Sequence, residues 1–504
     1  MKTPRLSRYE WGWLGPIGIA LVAFVLRVWH LATPNVFIFD ETYYAKDAWG
    51  LLQWGYSRDG IEGANELILQ GRTDVFTQEP TWIVHPNGGK WLIAIGEQFF
   101  GLTPYGWRIA AVVVGSLMVL VLGRLILRLT GSVVIACIGS TLLALDGNHF
   151  TLSRIALLDI FLAFWILCAV ACLAADRDAI GRSLEQSDRY RFWRPWQLAA
   201  GICFGLAVGT KWSGLYVLAA FGVTVVLWEL WLRGRPASWK DAGRRLLLVG
   251  LPAFGWLVVV AFVVYLITWT GFLIHHQAYE ARFGHGYGDI PRWGDYVDHP
   301  TGGPFGGLID GFRSLWHFHV MTYDFHTGDY MATKTHPWQS NPLGWLVQRR
   351  PTLVFSHFNL PVEECGAPAG SQCARVILVL GNPAVWWVGT AALAAAVVAF
   401  ARRPSWRWSI VLVGVASTWL PWFTVGSRPI FTWYAVAIGP FVIIAICMVL
   451  AALKRRLPER IWWIGVSIYL GFVVLLFWYF YPIWAGSLIT YDSWLHRMWF
   501  DRWR

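Results

Sequence analysis

Two acidic residues stand side by side in the segment "FIFDETYYAKDAW", directly after an apolar stretch. Asp40 and Glu41 lie there among aromatic side chains. A carboxylate that is partly removed from water binds its proton more tightly, because burial disfavours the charged form, and it can then act as a general base near neutral pH. The alternative is an interfacial loop whose acids meet only water or a lysine such as Lys46. The acidic pair alone does not decide between the two interpretations.

Cationic segments elsewhere in the chain could bind an anion. "VHPNGGKW" places His85 and Lys90 around a Gly-Gly turn, and backbone and cationic donors near such a turn suit a phosphate. Taken singly, each charged residue near a membrane span has a structural alternative, such as an ion pair between Arg154 and Asp159. Together they fit a cavity for a lipid phosphate and a hydroxyl acceptor. The further candidates are Arg108, Arg154, Asp159, Lys211, Trp212 and Arg428.

The elements that must position these residues are membrane helices. The 504 residues are 56% hydrophobic and 14% charged, whereas soluble domains carry about 25% charged residues. A spanning helix needs about 20 mostly apolar residues. The fifth of the spans that we expect is short and rich in glycine, and the first lacks a cleavage site, so we interpret it as a retained helix. The eleven expected spans are 12–31, 106–127, 132–147, 153–175, 196–210, 213–232, 246–270, 382–401, 408–425, 430–452 and 461–485.

The distribution of Lys and Arg predicts the orientation of the spans. Alternate loops such as "LRGRPASWKDAGRR" and "KRRLPER" are strongly basic, which is typical of cytoplasmic loops. The N-terminus is therefore predicted inside and the C-terminus outside, with two long outer loops at about 32–105 and about 271–381. The net charge of +11 is then a topology signal, which argues against nucleic-acid binding. The absence of internal repeats and the boundary position of the charges argue against a transporter.

The outer loops carry two further patterns. "ANELILQ" and "GKWLIAIGEQFFG" have apolar residues at helical spacing, which predicts amphipathic helices on the outer leaflet. Cys365 and Cys373 stand alone in the second loop, and a disulfide between them suits an oxidising exterior. A zinc site would need more ligands nearby than these two cysteines.

An ordered set of segments along most of the chain resembles the protein O-mannosyltransferase family. "HPNGGKW" departs from the family's usual His-Pro-Pro-Leu-Gly-Lys-Trp at Asn87 and Gly88. The second outer loop is too short for the MIR β-trefoil of eukaryotic members, which indicates a bacterial-type member without that domain. The matching segments are "FDETYYAKDAW", "HPNGGKW", "GWRIAAVVVG", "SRIALLDIFLAF", "GLAVGTKWSGLY", "WQSNPLGWLVQRRP" and "RPIFTWY".

The resemblance implies an all-α polytopic GT-C glycosyltransferase, with one catalytic domain over residues 1–504 and its site at the outer face of the plasma membrane. The family's Asp-Glu motif falls on Asp40 and Glu41, and its aspartate is the catalytic acid–base residue. An important family arginine falls on Arg108. The donor is then polyprenyl-phosphate-mannose, and the acceptors are Ser and Thr hydroxyls of exported polypeptides. We place Tyr44, Trp338 and Gln339 on the acceptor side and assign the donor to Arg108, His85, Lys90, Arg154, Asp159, Lys211, Trp212 and Arg428.

The expected chemistry is inverting transfer. Asp40 takes the acceptor proton, while Glu41 orients the acceptor or a cationic partner. No cofactor is required, and a divalent ion at Asp40 and Glu41 is compatible with the chemistry. Membrane lipid and the secretion translocon are the other candidate partners. The alternative function is a different GT-C transferase, which moves a polyprenyl-phosphate-linked sugar to a lipid or glycan.

Overall fold

Helices account for most of the fold. The computed structural model describes residues 8–288, 290–366, 368, 371–425 and 428–504. Within these ranges the α-helices are α1 (Arg8–Val28), α2 (Glu41–Trp54), α3 (Ala64–Leu69), α4 (Gly88–Phe100), α5 (Pro104–Thr130), α6 (Val133–Ala144), α7 (Gly147–Leu152), α8 (Leu158–Gln186), α9 (Pro195–Val208), α10 (Gly214–Leu232), α11 (Trp239–Phe254), α12 (Val260–Thr268), α13 (Thr270–Ile274), α14 (His276–Tyr279), α15 (Gly306–Thr327), α16 (Asp329–Ala332), α17 (Val362–Cys365), α18 (Pro383–Arg402), α19 (Trp406–Trp419), α20 (Gly439–Lys454), α21 (Glu459–Ala485) and α22 (Tyr491–Arg497).

Every predicted span contains a helix. Among the described residues, seven helical segments are long and apolar enough to cross a membrane, and α6, α9 and α20 are shorter apolar helices. The π-helical turn Gly255–Val259 joins α11 to α12, so that Trp239–Thr268 forms one such segment. The expectation that the fifth span is short agrees with the 14 residues of α9. The count of eleven spans stays a prediction.

Local sequence signals set the ends of α5. Thr103 caps its N-terminus, because the side chain accepts a hydrogen bond from the backbone N–H of Gly106 at 3.1 Å. Pro104 occupies the first helical position, where its missing N–H costs nothing. The helix ends at Gly131, whose φ of +68° is a conformation that glycine adopts without strain. The buried side of α5 packs against α1, α4, α6 and α8.

The first predicted outer loop contains the two expected helices. α3 and α4 occupy the segments "ANELILQ" and "GKWLIAIGEQFFG". α4 buries Ile93 and Ala94, whereas Trp91, Ile95 and Phe99 are exposed at four-residue spacing. This arrangement is that of an amphipathic helix with one apolar face free for lipid.

Five short strands depart from the all-α prediction. In the first loop β1 (Arg58–Gly60) pairs antiparallel with β2 (Phe76–Pro80). In the second, β3 (Thr352–Leu360) pairs with β4 (Cys373–Val379), and β4 pairs with β5 (Leu488–Thr490) near the C-terminus. Sequence analysis missed these strands: β1, β2 and β5 have only three to five residues, whereas β3 and β4, with nine and seven, have ordinary strand lengths. Cys365 and Cys373 form a disulfide that connects α17 to β4, in agreement with the sequence.

Three short 3-10 helices lie in the chain near the candidate site. Pro342–Val347 precedes β3, and Thr432–Ala437 precedes α20 and packs against α8. α19 continues into Leu420–Thr424.

Glu41 at the start of α2 contacts Ala156, just before α8. Lys211 in the α9–α10 connection contacts Asp159 of α8 and Tyr434 of Thr432–Ala437. These segments form the candidate site.

Candidate active site

Glu41 is the structural member of the acidic pair. Its side chain is fully buried, and its carboxylate accepts hydrogen bonds from the Arg108 guanidinium, with Nε 2.9 Å and Nη2 2.8 Å away. It also accepts from the backbone N–H groups of Ile38 at 2.8 Å and Ala156 at 2.9 Å. Four donors leave this carboxylate no room for a substrate. Of the two predicted roles for Glu41, the geometry favours pairing with a cation over orienting the acceptor.

Arg108 is fully engaged by the protein. Its two contacts with Glu41 are joined by hydrogen bonds from its Nη atoms to the carbonyl oxygens of Leu31, Pro34 and Val36, at 2.7–3.1 Å. All five guanidinium N–H groups therefore have acceptors. These acceptors leave no guanidinium N–H free for the predicted contact with the donor phosphate. Arg108 instead fixes the segment that leads from α1 to Asp40.

Asp40 has the surroundings of a general base. It immediately precedes α2, keeps part of its side chain accessible, and accepts a hydrogen bond from the Tyr44 hydroxyl at 3.3 Å. Burial raises the pKa of Asp40 to about 6, and the positive charge of Lys211 partly opposes that shift. The two neighbouring acids thus have different environments. Glu41 is held in an ion pair with Arg108, whereas the Asp40 carboxylate stays available for proton transfer.

Lys211 lines a cavity and acts electrostatically on Asp40. It lies between α9 and α10, and its ammonium pairs with the Asp159 carboxylate in the first turn of α8 at 2.8 Å. The same ammonium lies 5.1 Å from the centre of the Tyr434 ring. The alternative pairing of Asp159 with Arg154, considered from the sequence, is not formed. Lys211 is therefore a cation held in place by a carboxylate and an aromatic ring.

The cavity beside Lys211 has a volume of about 340 Å³ and is both basic and aromatic. The centre of the His85 ring lies 6.3 Å from that of Tyr44. The Tyr44 hydroxyl in turn donates to Asp40. Burial, together with nearby cations, lowers the pKa of His85 well below its usual value, so this ring is neutral. The lining residues are His85, Lys211, Trp212, Ser213, Leu215, Tyr216, Tyr323, His326, Thr327, Pro421, Trp422, Val425, Arg428 and Tyr434.

A neutral histidine orients Arg428 in this cavity. His326 Nε2 lies 2.9 Å from the carbonyl oxygen of Val84, which can only accept, so Nε2 carries the proton. His326 Nδ1 then accepts from Arg428 Nη1 at 2.8 Å. Burial lowers the pKa of His326 to about 4, which agrees with this neutral form. Arg428 Nε is buried without a hydrogen-bond partner among the described residues, so Arg428 has donor capacity left for a ligand.

A second, apolar cavity adjoins the first. Its volume is about 320 Å³, and it lies between α9, α10 and α12. Trp212 and Leu215 line both cavities. The indole N–H of Trp212 donates to the Tyr265 hydroxyl at 3.0 Å, which fixes the ring between them. A basic cavity and an apolar one therefore lie side by side and share Trp212 and Leu215, which suits an amphiphilic ligand.

Two predicted donor-binding cations lie away from the cavity. Lys90 is fully buried and pairs with Asp47 of α2 at 2.8 Å, which joins α4 to α2. Arg154 binds the backbone carbonyl oxygens of Arg27, Trp29 and His30 at 2.5–3.3 Å. Both side chains stabilise the walls of the site and do not line the cavity.

The predicted acceptor-side residues occupy different depths. Tyr44 is buried beneath Asp40. Trp338 faces the Arg350 guanidinium at 5.3 Å, and the Gln339 side chain accepts from the backbone N–H of His336 at 3.2 Å. His336, in the same segment as Trp338 and Gln339, contacts the ring of Phe39, the residue before Asp40. The Phe39 ring also contacts those of Phe431 and Trp433.

Sequence analysis missed several lining residues. His326 lies in α15, about 240 residues from its partner Val84 in the chain, and no local pattern marks it. Tyr434 and Trp422 were also not selected, although Tyr434 stands inside the segment "RPIFTWY" that carries the resemblance. The described residues include no group of three or more His, Cys, Asp or Glu side chains suited to hold a metal ion.

Two family models match this chain. The sequence model of the dolichyl-phosphate-mannose-protein mannosyltransferases matches residues 17–279, and that of the C-terminal four TMM region of protein-O-mannosyltransferase matches residues 311–503. The chain belongs to the protein O-mannosyltransferase family. It is therefore a glycosyltransferase, and the prediction of its family and of a GT-C membrane fold is confirmed.

Relatives of this family resemble the chain over nearly its whole length. The polyprenol-phosphate-mannose–protein mannosyltransferase of Mycolicibacterium smegmatis (strain ATCC 700084 / mc(2)155) is 32% identical over 98% of this chain and 93% of its own. That of Corynebacterium glutamicum is 30% identical over 100% and 95%. The Saccharomyces cerevisiae Pmt1-Pmt2 complex, solved with its sugar donor, matches with a TM-score of 0.72 over 100% of this chain and 93% of that one, at 15% identity.

Proposed function

We propose that this protein O-mannosyltransferase family member transfers mannose from polyprenyl-phosphate-mannose to Ser or Thr hydroxyls of exported polypeptides, with inversion at the anomeric carbon. The observation that carries the proposal is a partly accessible carboxylate, Asp40, that lies within electrostatic reach of Lys211, which lines a basic and aromatic cavity. Burial raises the pKa of this carboxylate to about 6. The names of the bacterial relatives supply the donor and the protein acceptor.

The basic cavity suits the phosphate of the donor. Lys211 and Arg428 line it, and the buried Nε of Arg428 has no hydrogen-bond partner among the residues that the structure describes. Negative charge grows on the phosphate oxygen as the bond to the sugar breaks, so fixed cations stabilise the transition state more than the ground state. The adjoining apolar cavity suits the first isoprenyl units of the carrier.

Asp40 completes the reaction on the acceptor side. It takes the proton of the Ser or Thr hydroxyl as the hydroxyl oxygen attacks C1 of mannose. The bond between C1 and the phosphate oxygen breaks through an oxocarbenium-like state, and polyprenyl phosphate leaves as an anion that needs no acid. Glu41 and Arg108 hold the Asp40 loop and take no part in bond making.

We assign the site to the outer face of the plasma membrane. The basic loops lie on one side of the predicted spans, and the segments that form the site lie on the other, charge-poor side. The N-terminus is then cytoplasmic and the C-terminus external. The acceptor reaches the site as an unfolded polypeptide during export, which makes the secretion translocon a candidate neighbour.

Reporter fusions test this orientation. Fusions after residues 180 and 240 are expected to report the cytoplasm, because both positions lie in the basic set of loops. Fusions after residues 60, 330 and 504 are expected to report the exterior. Paired alkaline phosphatase and fluorescent protein fusions at each position give the measurement. A cytoplasmic signal at residue 504 together with an external one at residue 60 would mean that the number of spans between them is odd, against the proposal.

Arg428 is the cation whose loss is expected to weaken donor binding most clearly. Hydrogen bonds to charged groups contribute about 1.5–3 kcal/mol each, so Arg428→Ala is expected to raise the Kd for polyprenyl-phosphate-mannose by roughly 10–100-fold. Binding is measured in matched nanodiscs with labelled donor. Arg72→Ala, which removes an exposed arginine paired with Asp74, is the control. Wild-type affinity in Arg428→Ala would show that the donor phosphate does not bind at Arg428.

Purified protein tests the function as a whole. With radiolabelled polyprenyl-phosphate-mannose and a Ser/Thr-containing peptide, the label is expected on the peptide in an α-linkage if the donor is β-linked. Label that enters lipid or glycan but never peptide would replace the proposal with the alternative transferase. NMR of the glycopeptide determines the anomeric configuration.

A further inference from the structure

A third cavity lies away from the candidate active site, between the C-terminal segment and the end of the second loop. Its volume is about 390 Å³, and its lining comprises Val347, Gln348, Arg349, Trp387, Phe500 and Arg502. None of these residues lines the basic cavity beside Lys211. The proposed mechanism does not use this cavity, so its composition needs a separate explanation.

The backbone around this cavity is fixed. The Trp503 indole N–H donates to the carbonyl oxygen of Gln348, and the Trp387 indole N–H donates to that of Val347, both at 3.0 Å. The backbone N–H of Arg349 donates to the carbonyl oxygen of Gly344 at 2.9 Å. Trp503 is almost completely buried. The C-terminal 3-10 helix Asp501–Trp503 is therefore fastened to the end of the Pro342–Val347 helix.

Two arginine side chains at this cavity have no polar partner among the described residues. The guanidinium groups of Arg349 and Arg502 are exposed, and neither forms an ion pair or a hydrogen bond with any residue that the structure describes. The neighbouring acid, Asp501, pairs instead with Arg504 at 3.3 Å. Two uncompensated positive charges beside one cavity favour an anionic ligand, and guanidinium groups bind phosphate oxygens with two parallel donors.

The aromatic lining places the cavity at a membrane surface. Trp387 lies near the start of α18, a candidate span, and is 40% exposed, while Phe500 is 50% exposed. Aromatic side chains at span ends occupy the headgroup level of a bilayer. β5 pairs with β4 of the second loop, so the C-terminal segment lies on the same side as that loop. Arginine is disfavoured in loops on the external side, so the basic ending "RMWFDRWR" is unexpected there under the proposed topology.

We infer that Arg349, Arg502, Trp387 and Phe500 form a binding site for a phosphate group at the outer membrane surface, supplied by the headgroup of an anionic lipid. The guanidinium groups contact the phosphate, and the aromatic rings contact the glycerol and upper acyl region. A bound lipid would add a further link between the C-terminal 3-10 helix and the segment "WQSNPLGWLVQRRP", which Trp503 already joins through Gln348. The assignment to the outer leaflet rests on the proposed topology, whereas the phosphate site itself does not depend on mannosyl transfer.

Native mass spectrometry of the full chain in detergent tests the site without donor or acceptor. Phosphatidylglycerol is titrated against the wild type, the double variant Arg349→Gln/Arg502→Gln and the control Arg504→Gln. We expect the double variant to lose at least about tenfold in affinity for the first lipid bound, and the control to bind as the wild type does. Phosphatidylcholine is expected to bind the wild type less tightly, because its ammonium offsets the phosphate charge.

Competition distinguishes the source of the phosphate. If excess inorganic phosphate leaves phosphatidylglycerol bound, the lipid is the ligand; if it displaces the lipid through Arg349 and Arg502, the site serves a soluble phosphate. Equal binding of the two lipids, or unchanged phosphatidylglycerol binding in the double variant, would overturn the inference. Mannosyl transfer by the double variant in phosphatidylcholine nanodiscs confirms that it is folded.

Discussion

Asp40→Asn is expected to reduce kcat for mannosyl transfer by roughly 10²–10⁴-fold, the range associated with loss of a general base. The amide has nearly the same shape as the carboxylate but cannot take the acceptor proton. The Tyr44 hydroxyl can still donate to the remaining carbonyl oxygen, so the local structure is retained. The rate is measured with saturating donor and a Ser/Thr peptide.

Two further observations keep this prediction specific. Asp74→Asn is the matched control, because Asp74 lies in the same predicted loop and only pairs with the exposed Arg72. It is expected to transfer mannose at the wild-type rate. Donor binding by Asp40→Asn is expected to stay near that of the wild type, since Lys211 and Arg428 are unchanged. A near-normal kcat in Asp40→Asn would show that Asp40 is not the general base.

Removal of one partner of the Glu41–Arg108 pair is expected to destabilise the protein strongly. Breaking a buried ion pair typically costs about 3–5 kcal/mol, because the remaining charge is left buried without compensation. Arg108→Ala and Glu41→Gln should therefore both lower the unfolding temperature in matched detergent, and both should reduce activity through displacement of the Asp40 loop. Arg72→Ala, which breaks an exposed pair, should leave the unfolding temperature close to that of the wild type.

The same variants separate the two interpretations of Arg108. If Arg108 bound the donor phosphate, as the sequence suggested, Arg108→Ala would unfold at the wild-type temperature and lose donor affinity, whereas Glu41→Gln would not share that loss. If Arg108 holds the loop, the two variants lose stability together. Their double variant should then be less destabilised than the sum of the two single variants, because the losses come from one interaction.

The sequence predicted those parts of the fold that depend on composition and local pattern. A long apolar run must form a helix in lipid, because its backbone groups have no other partners there, and each such run contains a helix. The Asp-Glu motif, Lys211 and Arg428 were found because charged residues near membrane spans are costly and stand out. The amphipathic helix α4 followed from its 3.6-residue spacing in the same way.

The partners of those charges could not be predicted, since they depend on contacts between distant segments. Arg108 and Lys90 have the same sequence features as Lys211, yet the fold directs them to Glu41 and Asp47 and not to the cavity. Glu41 reaches Arg108 across 67 residues of chain. His326 orients Arg428 from α15, in a loop where the sequence offered no reason to select a histidine. Which cation remains available to a ligand is decided by tertiary structure alone.

The dependence of kcat/KM on pH tests the role of Asp40 most directly. Because kcat/KM reports ionisations of the free enzyme and the pKa of Asp40 is raised to about 6, the wild-type value should be flat near pH 7.5. It should then fall about tenfold per pH unit below about pH 6, where the base becomes protonated. The residual activity of Asp40→Asn should lack this acidic limb. The same limb in both proteins would show that another group titrates, and would contradict the assignment of Asp40 as the base.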